Sequence, residues 1–220
     1  MPKQNRVTPF GVLIATEFRG TLMGNRGCLH DAQRHICRAF VGKRWIVCVL
    51  EFRGRHRAVM TPNHYTELFF LDEATAFAAG HRPCAECRRE RYRLFREHWE
   101  AANPGLIRSS SSSIDEIDRI LHAERLDETG RKRAYRAPVT ELPSGAMVAD
   151  DEGLPYLVQH DVLTRWEPGG YRESIVKPVD AVFNVLTPRS VVRAIAHGYP
   201  VMVHQSAEGG VPSRKATPPE

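Results

Sequence analysis

The chain has 220 residues, long enough to bury a core without disulfides, and its 42% hydrophobic and 26% charged residues are the balance of a folded globular protein rather than a disordered or membrane-spanning one. Its formal charge is +5, and since only five of the 31 cationic residues are lysine, 26 are arginine, whose planar fork of donors matches phosphate oxygens and base edges. That bias fits a nucleic-acid partner, and it also follows from a GC-rich genome; net charge speaks to partners and not to fold.

The apolar run at 10–15 is too short for a secretory segment or a bilayer span, so the expected location is cytoplasmic and reducing, with no membrane partner. Five cysteines, at 28, 37, 48, 84 and 87, are an odd number for a disulfide framework and suit free thiols and metal binding.

In chain order, 44–52 reads as a buried strand, and a turn at Gly54 leading into a second strand through Val59 predicts a hairpin. A short apolar run at 68–71 precedes a helix capped by Asp72 and closed by Gly80. Tyr92, Phe95 and Trp99 give 87–102 a helical period, stopped by Pro104. The serine run within 104–113 predicts a linker or loop, because so polar a stretch buries too little to offset its ordering entropy. Ser113 and Glu116 have capping-box spacing for a helix that ends near Leu126. Strand-like runs follow at 146–149, 154–160 and 179–186, and Thr187, Pro188 and Gly198 supply N-cap, N1 and C′ of a last helix. The sum is a mixed α+β fold. It comprises a basic zinc module over 1–103, the 104–113 linker, a smaller α+β domain over 114–206 and a disordered tail over 207–220.

The strongest local pattern is Cys84-Ala85-Glu86-Cys87, because a Cys-x-x-Cys knuckle lets two thiolates reach one Zn²⁺. Gly80 and Pro83 place it after a helix and a stiff turn, which favours metal over a redox dithiol. The wider stretch over 68–88, ending Gly80-His81-Arg82-Pro83-Cys84-Ala85-Glu86-Cys87-Arg88, resembles the zinc-binding domain of the Ada family of DNA-repair proteins. The resemblance implies a small α/β unit with four cysteine ligands, one of them a methyl acceptor from DNA phosphotriesters, with Cys84 and Cys87 matching the second ligand pair. The family's first pair would fall near Phe52 to Arg57, where this chain has no cysteine. Cys28 and His30, in a glycine-spaced loop, are the expected third and fourth ligands, with Cys48, Cys37 and His81 as alternatives. Cys48 and Cys37 sit among apolar residues, where free cysteine usually just packs.

Arg88, Arg89, Arg91, Arg93 and Arg96 give the helix after the knuckle a basic face suited to phosphates, and Arg53 and Arg55 extend it. The competing reading is a solvated helix face. Asp118, His122 and Glu124 are candidate acid–base residues on the later helix, whose polar face needs no such explanation. Three functions stay open: a zinc protein that binds nucleic acid, an enzyme acting on it (nuclease, glycosylase or alkyl acceptor), and an interaction module whose zinc only braces the fold.

Overall fold

The computed structural model describes residues 1–54, 58–107 and 113–208. Its twelve strands form two six-stranded sheets, joined by four α-helices, so the class is mixed α+β. The first sheet has strands β1 (Gln4–Val7), β2 (Leu13–Ala15), β3 (Leu22–Asn25), β4 (Ile46–Cys48) and β5 (Leu68–Phe70). Helix α1 (Glu73–Ala78) then leads to the two-residue strand β6 (Arg82–Pro83), and the order across the sheet is β2-β1-β5-β3-β4-β6. Helices α2 (Arg89–Ala102) and α3 (Ile114–Arg125) follow. The second sheet, antiparallel throughout, is built from β7 (Tyr135–Pro138), β8 (Met147–Ala149), β9 (Pro155–Val158), β10 (Val162–Glu167), β11 (Gly170–Val176) and β12 (Val182–Val185). Helix α4 (Arg189–Ala196) closes the series. No described helix is long and apolar enough to cross a membrane.

All six residues of α1 are buried, and its composition shows why. Ala76 packs on the first sheet, Ala74 and Ala78 on the second, and Phe77 among α2, α3 and α4. Alanines let three layers approach one short helix closely, which a bulkier stripe would prevent. Asp72 caps the helix by accepting from the Thr75 N–H at 2.8 Å, as its position in sequence predicts. Gly80 ends the turn at φ +85°, and a Cβ there would lie 2.4 Å from Arg125 Cδ, so glycine is needed both for the left-handed backbone and for the passage of Arg125.

Residues on both sides of 104–113 share two of the four hydrophobic clusters. Leu71 and Ala74 meet Met147, Leu157 and Trp166 in one, and Phe95 and Trp99 meet Ile117, Leu121 and Ile195 in another. Pro104–Leu106 is a 3₁₀ turn, and 108–112, the body of the serine run, lies outside the described residues. Ala207, where the tail was expected to begin, is buried against the second sheet's cluster, and 209–220 are outside the described residues.

Two expectations are corrected. The hairpin over 44–52 and Val59 does not form: β4 pairs antiparallel with β3 and parallel with β6, and Val59 and Met60 lie in a turn. Positive φ at Arg53, Met60 and Asn63 breaks the extended backbone that a return strand requires. The last helix takes Pro188 as N-cap, because the Thr187 hydroxyl is occupied by the Met147 N–H at 2.9 Å. Glu124 of α3 caps α4 instead, accepting from Ser190 N–H at 3.1 Å and from its hydroxyl at 2.6 Å.

Candidate metal centre

Parallel register brings the thiols together. Ile46 pairs with Arg82 and Val47 with Pro83, so the next residues along, Cys48 and Cys84, lie side by side, and Cys84 N–H donates to Val47 O at 2.9 Å. Pro83 is tolerated because β6 is the sheet's edge strand. Beyond Cys84 the chain turns at once, with Arg88 N–H donating back to Cys84 O at 3.2 Å, and α2 begins two residues past Cys87.

Cys48, Cys84 and Cys87 present three Sγ atoms that all lie within 4.8 Å of one another. Bonds of about 2.3 Å from one tetrahedral zinc would hold such sulfurs ~3.8 Å apart, so the group needs only a small contraction to take the ion. Its electrostatics suit a cation. Hydrogen bonds from Cys48 and Cys87, joined by the backbone N–H groups of Cys87 and Glu86, hold the Cys84 thiol far below the usual range. Glu86 N–H stands 3.4 Å from Cys84 Sγ. Hydrogen bonding to Cys84 and Cys87, with burial, pushes the Cys48 thiol well up. At Cys87 the Cys48 hydrogen bond pulls down, while Cys84 and burial outweigh it and raise the thiol. The Cys84 thiol is thus the one that gives up its proton most readily, and a group of this kind can exchange its protons for a soft divalent ion.

A cavity of about 270 Å³ adjoins the thiols, lined by all three cysteines together with Tyr65, Glu67 and Glu86. Among the described residues no other histidine, cysteine or carboxylate joins the cluster.

The structure brings Cys84 and Cys87 to Cys48, not to Cys28 and His30. Cys48 lies opposite Met23, five residues before Cys28, and the ladder of β3 ends at Asn25, so the glycine-spaced loop leaves the sheet away from the thiols. His30 is buried with Nδ1 2.6 Å from Thr66 Oγ1 and Nε2 3.2 Å from Thr61 O. The Cys28 thiol faces His30 O at 3.7 Å and the Cys37 thiol faces Leu29 O at 3.3 Å. His81 is buried between the rings of Trp45 and Phe70, and burial, with Arg26 and Arg125 nearby, holds its imidazole well below its usual range and therefore neutral.

Much of the predicted basic face turns inward. Arg88 and Arg91 both pair with Glu73, a fully buried carboxylate of α1, and Arg96 pairs with Glu100 one helical turn on at 2.7 Å. Arg89, Arg93 and Arg53 are exposed, and Arg53 stacks on Phe52 at 4.9 Å. Arg55 lies outside the described residues.

The acid–base candidates do not converge. Asp118 is buried and held at both oxygens by Arg82 at 2.8 Å, which ties α3 to the strand that leads into Cys84. His122 lies 2.8 Å from Arg125 and edge-on to Phe40, and Glu124 caps α4. Each has a structural partner that accounts for it.

Cys48, which the sequence offered only as an alternative ligand, is the residue that the structure brings to the Cys84–Cys87 pair. Its neighbours Val47 and Val49 signal a strand, and only the pairing of that strand with β6 sets its thiol beside the other two. Comparison of the chain with protein-family models, curated proteins and solved structures found no match.

Proposed function

We propose that the protein binds one zinc ion through Cys48, Cys84 and Cys87 and docks on nucleic acid, DNA in preference to RNA, through the outer face of α2. The observation that carries the reading is the three-thiol group at the start of a helix whose exposed side presents Arg89 and Arg93. Soft sulfur donors within tetrahedral reach select zinc over harder divalent cations. The exposed arginines, a formal charge of +5 and Arg53 supply the electrostatic term that dominates non-specific affinity.

Two measurements test it. Protein purified without chelators contains about one zinc per chain, a content lost with the thiols because ligation and folding are coupled. Fluorescence anisotropy with DNA and RNA probes shows binding that weakens steeply with salt, and Arg89→Ala with Arg93→Ala lowers the salt slope by roughly two, one per phosphate contact, without releasing zinc. Absence of stoichiometric metal refutes the first half, and salt-insensitive or absent binding refutes the second.

A second reading, an enzyme acting on nucleic acid, is favoured by the cavity that the thiols line. Three protein ligands and an accessible fourth position are the arrangement in which zinc acts as a Lewis acid or activates water. Cobalt substitution separates the two readings, since an added small anion shifts the visible spectrum only when a coordination position is open.

A further inference from the structure

A larger cavity, about 590 Å³, opens between the first sheet and the loop that follows α3. Arg26, Arg125 and Lys132 line it, with the exposed Arg38 at its mouth and Trp45 and Phe40 on its wall; no carboxylate is among its lining residues. Arg26 is 4% exposed and Arg125 1%, yet neither has a carboxylate partner among the described residues. Arg26 donates to Gly11 O at 2.9 Å, Arg125 to Gly80 O at 2.8 Å and Lys43 O at 2.7 Å, and Lys132 to the carbonyls of Ala78 and Leu186. The Nε atoms of both arginines are buried without a partner among the described residues. Both guanidiniums crowd one indole, Arg125 at 3.8 Å and Arg26 at 4.7 Å from the Trp45 ring.

Buried cations are ordinarily paired, because solvation lost on burial is recovered only from an opposite charge. Asp118, whose charge reaches Arg125, is already held at both oxygens by Arg82. Asp127, in the loop beside Arg131, is engaged by Thr129 and Arg131. Burial, with Arg125 nearby, pushes the Lys132 ammonium down to about 7, which marks how short of negative charge this region is.

The geometry points to a second binding site here, for a nucleotide-sized ligand that carries a phosphate on a flat, largely apolar body. The cavity has the volume of a small-molecule site. Arg26, Arg125 and Arg38 supply the charge-assisted donors that a phosphate takes, and the aromatic wall suits a base. The site shares no lining residue with the thiol centre and does not depend on the metal. The ligand is either a free nucleotide or the terminal nucleotide of a strand.

Calorimetric titration of the full chain with inorganic phosphate, the four nucleoside monophosphates and the uncharged nucleosides tests it. One monophosphate is expected to bind saturably, more tightly than phosphate, with its nucleoside showing no heat. Two variants at exposed mouth positions, Arg38→Glu and Ala39→Trp, are expected to weaken binding about tenfold or more with the melting temperature kept, as losing one charge-assisted contact implies. Arg89→Ala with Arg93→Ala leaves nucleotide binding unchanged, which separates this site from the α2 face. A 5′-phosphorylated oligonucleotide that displaces the nucleotide identifies a strand as the source, and one that does not leaves the free nucleotide. The proposal is overturned if no monophosphate binds at millimolar concentration, if nucleosides bind as well as nucleotides, or if both mouth variants bind like the wild type.

Discussion

Removing the Glu73 carboxylate is expected to be among the more damaging single changes in the chain. Glu73 is fully buried, pairs with Arg88 and Arg91, accepts from Tyr199 Oη at 3.0 Å and from the Met202 N–H at 3.1 Å. Glu73→Ala strands the Arg88 guanidinium, whose side chain is 3% exposed, and breaking a buried pair from one side costs ~3–5 kcal/mol. Arg91, 22% exposed, can turn partly to water, so its share is smaller and the sum stays within that range. For a chain of this size ~2–4 °C of melting temperature corresponds to each kcal/mol, which gives a loss on the order of 10 °C. Urea unfolding followed by circular dichroism, with linear extrapolation, measures the difference. Adding Arg88→Met to the Glu73→Ala variant should recover part of the loss, because it removes the stranded charge. A single-variant cost below about 1 kcal/mol, or a double variant whose losses simply add, would show that the pair is solvated and the reasoning wrong.

Three further outcomes are expected. Cys48→Ser releases zinc at chelator concentrations that wild type and Cys28→Ser withstand, read by a chromogenic zinc indicator; equal retention by all three removes Cys48 from the site. Lys132, held in the folded chain at about 7 against its ordinary 10.5, binds fewer protons folded than unfolded between those values. Stability of the wild type relative to Lys132→Met therefore rises as pH is raised from 7 towards 10, and thermal melts across that window showing a flat or falling difference contradict the assignment. Glu124→Ala uncaps α4 and costs about 1 kcal/mol, measured by urea unfolding, whereas loss of the proposed nucleic-acid affinity with unchanged stability would return Glu124 to the functional candidates.

What could be read from the chain and what could not divides on range. Asp72, Gly80, Ser113 and Gly198 announce helix ends because a cap is made with residues a few positions away, and α1, α2 and α3 start and stop close to where they were expected. The Cys84–Cys87 spacing is local in the same sense. Strand partners are not local. The apolar run around Val47 is equally consistent with a hairpin to Val59 and with the parallel pairing to Arg82 and Pro83 that forms, and that choice decides whether Cys48 is filler or ligand. Arg88 and Arg91 depart from the expected outer face for a related reason. The basic face of α2 is legible in sequence, but Glu73, which draws these two inward, belongs to another helix, and a buried carboxylate looks like any other in sequence. Trp166 and Tyr171, on the hairpin β10–β11, pack on α1 from the far half of the chain with no sign of it in their own neighbourhood.

The register that sets Cys48 beside Cys84 joins points 36 residues apart in the chain. An ion bridging them would act as a removable cross-link, closing in the unfolded ensemble a loop whose entropy, on the scale used for disulfides of that length, is worth about 4 kcal/mol. The segment so enclosed carries the cavity walls at Phe52, Val59 and Tyr65 and the His30 anchors Thr61 and Thr66. Chelation would therefore free the unfolded chain as well as empty a site, and unfolding followed anywhere in the protein, not only at the thiols, would report the metal's departure.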